Sequence, residues 1–177
     1  MGQAMPATQD PARIGDDPEA TESTRAVVAA FLNALAAGDH YGDHLAERVT
    51  HTIMATGEVT SGRSAVVRLT DHLHRGAFAA AVDTRALVVE GPRAFLEAAF
   101  VGTHVGEFAG IPPTGRTVGV PFAVAYDLVD GSIAALRVYL PLDALVRQLR
   151  DDWPGVPSAP VGNRNASHEE PERRSKR

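Results

Sequence analysis

The sequence predicts an α+β domain: one strongly curved antiparallel sheet, with helices towards the N-terminus packed against its concave face to enclose a pocket. Three observations carry this reading. Helical spacing of apolar residues dominates up to residue 75, period-two alternation replaces it from residue 78 to 140, and the connections between the alternating stretches are short. Short connections suit hairpins, because parallel crossover units need a dozen or more linking residues.

From Glu22 to Ala37, Val27, Val28, Phe31, Leu32, Leu35 and Ala36 form one helical stripe, and Gly38 supplies the stop. A shorter helix is expected from Asp39 to Arg48, interrupted by Gly42. Val49, His51 and Ile53 alternate with Thr50 and Thr52, the pattern of a short strand. Gly57 to Gly62 reads as a turn. Val66, Leu69 and Leu73 lie on one face of a helix over Arg63–Arg75. Strands follow over 78–90, 94–108, 116–129 and 132–140, and a closing helix runs from Pro141 to Arg150 with Leu142, Leu145, Val146 and Leu149 on its buried face. Asp130-Gly131 is a type I′ hairpin signal, since both turn positions need positive φ. A two-residue loop there pairs Val129 with Ser132, Asp127 with Ala134, Val124 with Arg137 and Phe122 with Tyr139. Phe122, Val124, Tyr126, Arg137 and Tyr139 then share one face, unless a one-residue bulge mixes the sets.

The 177 residues allow one domain plus tails, and 44% apolar residues suffice for its core. Residues 1–20 and 154–177 are polar and rich in Pro and Gly, so both ends are expected to be disordered around a domain at 21–153. The net charge of −5 argues against nucleic acid as a partner. No apolar run is long enough for a membrane helix, no signal peptide is apparent, and a cytoplasmic protein is expected. Cysteine is absent, which removes thiolate nucleophiles, disulfides and cysteine-held metals.

In the strand around residues 94–108, Leu96, Ala98, Phe100, Gly102 and His104 fall on the apolar face, so His104 points inward. His51 does the same on its own strand. A buried imidazole has a lowered pKa and stays a free base near neutral pH. Gly102 and Gly106 flank His104 and leave room for a ligand to approach. Arg137 must meet a carboxylate, such as Asp127, Glu107 or Asp143, or an anionic or carbonyl group of a ligand. Tyr41 and Tyr126 could donate to a substrate oxygen. His40, His44, His72 and His74 are read as solvated; no HExxH pattern joins them, and neither metal nor cofactor is expected. Phosphate-cradle and nucleophile-elbow patterns are also absent.

The blocks GTHVGEFAGIPPTGRTV (102–118) and AYDLVDGSIAALRVYLPLDALVRQL (125–149) resemble the SnoaL-like polyketide cyclase family of the nuclear-transport-factor-two-like superfamily. The resemblance implies a cone-shaped α+β fold whose interior is a ligand pocket, often in a homodimer. It also implies ring closure by acid–base chemistry without a cofactor; relatives hydrolyse epoxides, isomerise steroids or hydroxylate. The family's G-T-H histidine corresponds to His104 and its early-strand histidine to His51. Many members carry an acid directly after R-V-Y-x; this chain has Pro141 there, and the strand alternation would put that loss at the pocket.

The expected function is therefore a cyclase or isomerase of secondary metabolism acting on a hydrophobic, polyketide-like small molecule. His104, Asp127 and Tyr139 are the expected catalytic groups. His51, Arg137, Tyr126, Tyr41, Phe100, Phe122, Glu107 and Asp143 are expected to hold substrate or assist. The alternatives are an epoxide-opening cyclase or hydrolase, and a non-catalytic binding or dimerisation module.

Overall fold

The computed structural model describes residues 17–150. Helix α1 (Pro18–Ala37) begins where the Asp17 carboxylate accepts the backbone N–H groups of Glu19 and Ala20, both at 3.1 Å, with proline at the first helical position. It ends at Gly38, whose φ of 77° closes the last turn. The domain thus starts earlier than the composition implied: residues 18–20 belong to this helix. The expectations for 1–16 and for the C-terminal tail lie outside the described residues.

The helix expected over Asp39–Arg48 is only a short 3-10 turn at Tyr41–His44, followed at once by strand β1 (Leu45–Ile53). Strand β2 (Glu58–Ser61) occupies the stretch expected to be a turn. Helix α2 (Arg63–Asp71) passes into a π-helical turn at His72–Ala77, closed by a bond from the Phe78 N–H to the Leu73 carbonyl. Strands β3 (Phe78–Glu90), β4 (Arg93–His104), β5 (Thr117–Val129) and β6 (Ser132–Tyr139) then form the meander, and α3 (Leu142–Leu149) is the last element of the described residues.

The six strands form one unclosed sheet in the order β2-β1-β6-β5-β4-β3. Four pairings are antiparallel, as the meander predicts; β1 beside β6 is parallel, so the sheet is mixed. Asp130 and Gly131 take φ of 49° and 71°, the hairpin turn expected of them. Val129 pairs with Ser132, but Leu128 pairs with Ile133 and Asp127 with Ala135, so Ala134 is an extra residue on β6. That bulge moves the whole register. Val124 faces Val138 rather than Arg137, and Ala123 rather than Phe122 faces Tyr139.

The inner face of the sheet carries two buried clusters. One gathers Val28, Phe31, Tyr41, Leu45, Val49, Leu96, Val124, Tyr126 and Leu136 beneath α1 and α2. The other gathers Phe78, Phe100, Val118, Val120, Leu140, Leu145 and Leu149 beneath α3. Gln148 seats α3 by treating β5 as a strand edge: its amide accepts from the Gly119 N–H at 2.8 Å and donates to the Gly119 carbonyl at 3.0 Å.

Candidate active site

A cavity of about 570 Å³, open solvent at its mouth included, opens in the first cluster and reaches the second at Phe100 and Leu140. Phe31, Leu32 and Leu35 line it from α1, and Leu96, Phe100, Phe122, Val124, Leu136 and Val138 from the sheet. Its polar side chains are His51 on β1, Thr70 on α2, His74 on the π-helical turn and Tyr126 on β5; no carboxylate lines it.

His51 stands opposite Leu136 in the sheet register, which fixes its ring on the inner face. Its Nδ1 is buried without a hydrogen-bond partner. Burial lowers its pKa, so the ring is a neutral base at physiological pH.

His74 reaches the cavity through the π-helical turn. It follows Thr70 by four residues and Leu73 by one, and both of those also line the cavity, so the same side of the helical segment carries His74. The ring packs edge-on against Phe100 at 5.4 Å. Next door, Arg75 faces outward. It pairs with Asp71, donates to the Leu35 carbonyl at 3.1 Å and lies over the Tyr41 ring, tying the turn to the end of α1. Burial, then the Arg75 charge, push the His74 pKa down to about 4. His74 is therefore not the solvated residue expected; its spacing of four from Thr70 was the missed signal.

Tyr126 is buried, with its ring edge-on to Phe31 at 6.2 Å, and burial pushes its phenol pKa up, so it stays protonated. Phe100 and Phe122 line the cavity as expected.

The structure separates the remaining expected residues from this cavity. His104 points inward and is fully buried, yet it sits in the second cluster, with the Phe78 ring 5.1 Å away. Its glycine neighbours serve chain packing rather than ligand access. A Cβ at Gly102 would stand 2.7 Å from the Ala80 Cβ, and one at Gly106 2.1 Å from the Gly76 carbonyl oxygen. Arg137 and Tyr139 are turned to the outer face by the Ala134 bulge. There Arg137 makes the expected ion pair with Asp127 through both guanidinium nitrogens, and Arg93 approaches within 3.6 Å. Arg137 holds the Asp127 carboxyl below its usual range. The Tyr41 hydroxyl is engaged at 3.0 Å with both the Val67 carbonyl and Asp71. Glu107 is exposed in the β4–β5 loop, and Asp143 pairs with Arg147 on the surface of α3. Pro141 caps α3, and Leu140 lines the cavity instead, so the missing acid is not a loss at the cavity wall. Among the described residues no group of three or more His, Asp or Glu could hold a metal ion, and no helix is long and apolar enough to cross a membrane.

The fold matches a crystal structure from Jannaschia sp. CCS1, described as a candidate SnoaL-like polyketide cyclase, with a TM-score of 0.67 at 20% identity over 80% of this chain and 97% of that one. TsrD from Streptomyces laurentii superposes at 0.63 with 28% identity, covering 72% and 95% of the two chains. A candidate polyketide cyclase from Pseudomonas putida KT2440 does so at 0.61 with 27% identity, covering 74% and 98%. No curated protein matches in sequence. The family model for SnoaL-like polyketide cyclases matches residues 24–149, from within α1 to the end of α3. The chain belongs to the SnoaL-like polyketide cyclase family.

Proposed function

We propose that the protein is a cofactor-free cyclase or isomerase that moves protons on a hydrophobic, polyketide-like molecule held between β1, β5 and the π-helical turn. The observation that carries this is the convergence of two neutral imidazoles, His51 and His74, on a cavity whose other walls are apolar save for Thr70 and Tyr126.

In this reading the neutral His51 imidazole takes a proton from the carbon next to a substrate carbonyl. The resulting enolate attacks a second carbonyl of the same chain and closes the ring. The new oxyanion accepts a hydrogen bond from a neutral N–H of His74 or from the Tyr126 phenol, both held in their uncharged donor forms by burial. The proton on His51 then returns to that oxygen. A positioned acid or base contributes about 10²–10⁴-fold, and orientation in the apolar cavity supplies the rest.

The absence of a carboxylate from the lining weighs against epoxide opening by an aspartate. The same absence favours, as a second reading, a module that binds its ligand without turnover. A poly-β-ketone ester incubated with the native chain and with His51→Ala separates them. Cyclised product that disappears in the variant supports the enzyme; binding without product in both supports the module.

A further inference from the structure

We propose that His104 is a positioning residue: it latches the loop 105–116 onto the π-helical turn and so holds His74 at the cavity wall. This rests on the functional reading only for the importance of His74; the latch itself stands on geometry.

Two contacts define it. The Thr114 backbone N–H donates to His104 Nδ1 at 3.2 Å, and the Thr114 Oγ1 lies 3.1 Å from the same nitrogen. An amide N–H can only donate, so Nδ1 carries the lone pair and the ring proton sits on Nε2. That Nε2 is buried without a partner. A proton added to Nδ1 would collide with the amide hydrogen, and burial opposes the charge as well. The ring is thus placed to accept one hydrogen bond, not to exchange protons with a ligand.

The latch reaches His74 by two routes. Through the backbone, the N–H groups of Val105 and Gly106 donate to the Ala77 carbonyl at 2.9 and 3.0 Å, where the π-helical turn ends. Gly106 abuts the Gly76 carbonyl so closely that no other residue fits. Through the rings, His104 packs on Phe78 at 5.1 Å, Phe78 on Phe100 at 5.4 Å, and Phe100 on His74 at 5.4 Å. If the loop releases, the turn loses its brace and His74 gains water. Asp71 and Arg75 are the charges beside it, and both lie on its own helical segment.

The test follows the His74 imidazole by NMR while pH is lowered, in the native chain and three variants. His104→Phe keeps a ring against Phe78 and removes the acceptor. Thr114→Pro removes the amide donor and the hydroxyl together, leaving the His104 ring itself intact. His104→Asn puts an oxygen where Nδ1 was. The first two are expected to raise the His74 midpoint from about 4 by about one pH unit or more as water enters. His104→Asn is expected to stay near the native midpoint. An unchanged midpoint in folded His104→Phe or Thr114→Pro overturns the proposal. So does a native His104 that titrates between about pH 5 and 8, or whose Nδ1 carries the proton; these two need no variant to fold. If His74 shifts as expected while His74→Ala keeps full turnover, the latch stands and the functional reading falls.

Discussion

The two halves of the inner sheet face hold the same residue type in opposite circumstances. His51 and His74 face a hollow with largely apolar walls; His104, aimed inward by the same strand alternation, is walled in by Phe78 and the Thr114 turn. The half beneath α1 and α2 stays open because helix side chains and a widened turn leave a gap over the sheet. The half beneath α3 is filled by Leu145, Leu149 and the loop after β4. Inward direction is a local property of a strand; access to a ligand is decided by what lies on top.

This contrast breaks most sharply under substitution of the open-side histidines. His51→Ala and His74→Ala should each lower kcat/KM by about 10²–10⁴-fold, about 3–5 kcal/mol, with melting curves little changed. Steady-state kinetics on a poly-β-ketone ester and thermal melts would show it. Equal turnover in either variant would remove that residue from the chemistry.

On the sealed side the expected loss is in stability. Gly106→Ala forces a methyl into the Gly76 carbonyl, costing about 1–3 kcal/mol by overpacking, read in a urea titration. A neutral result would mean the loop is not pressed against the turn.

Acid should weaken both halves together. Burial lowers the folded pKa of His51, His74 and His104 below the ordinary 6.5, to about 4 for His74. The unfolded chain therefore binds more protons than the folded one in that interval. Stability from these groups is fully present above pH 6.5 and falls as pH drops towards 4. Urea midpoints at several pH values would follow the decline; a flat profile there would contradict the burial of these rings.

The smallest effect belongs to the outer face. Asp127→Asn weakens a half-exposed ion pair and should cost no more than about 1 kcal/mol, with ligand binding unchanged. A large loss of binding would place the Asp127–Arg137 pair in the function after all.

Much of this architecture was legible in the residues. Alternation marked β3 to its ends, and Asp130-Gly131 announced its turn. The inward directions of His51 and His104 followed from parity alone. The bulge did not show, because Ala134 and Ala135 are alike and neither neighbour pattern marks which is extra; Arg137 and Tyr139 were consequently expected on the wrong face. The parallel seat of β1 beside β6 depends on contacts distant in sequence. His74 escaped because the helix face was read from Val66, Leu69 and Leu73 alone, and its neighbour one turn earlier, Thr70, is polar.

The most direct test of the central claim is an imidazole ¹H–¹⁵N spectrum recorded while a hydroxylated anthraquinone is titrated in as a stand-in for the substrate. Shifts at His51 and His74 with His104 unmoved are expected. Movement of His104 alone, or of none of the three at saturation, would contradict the placement of the ligand site in this cavity.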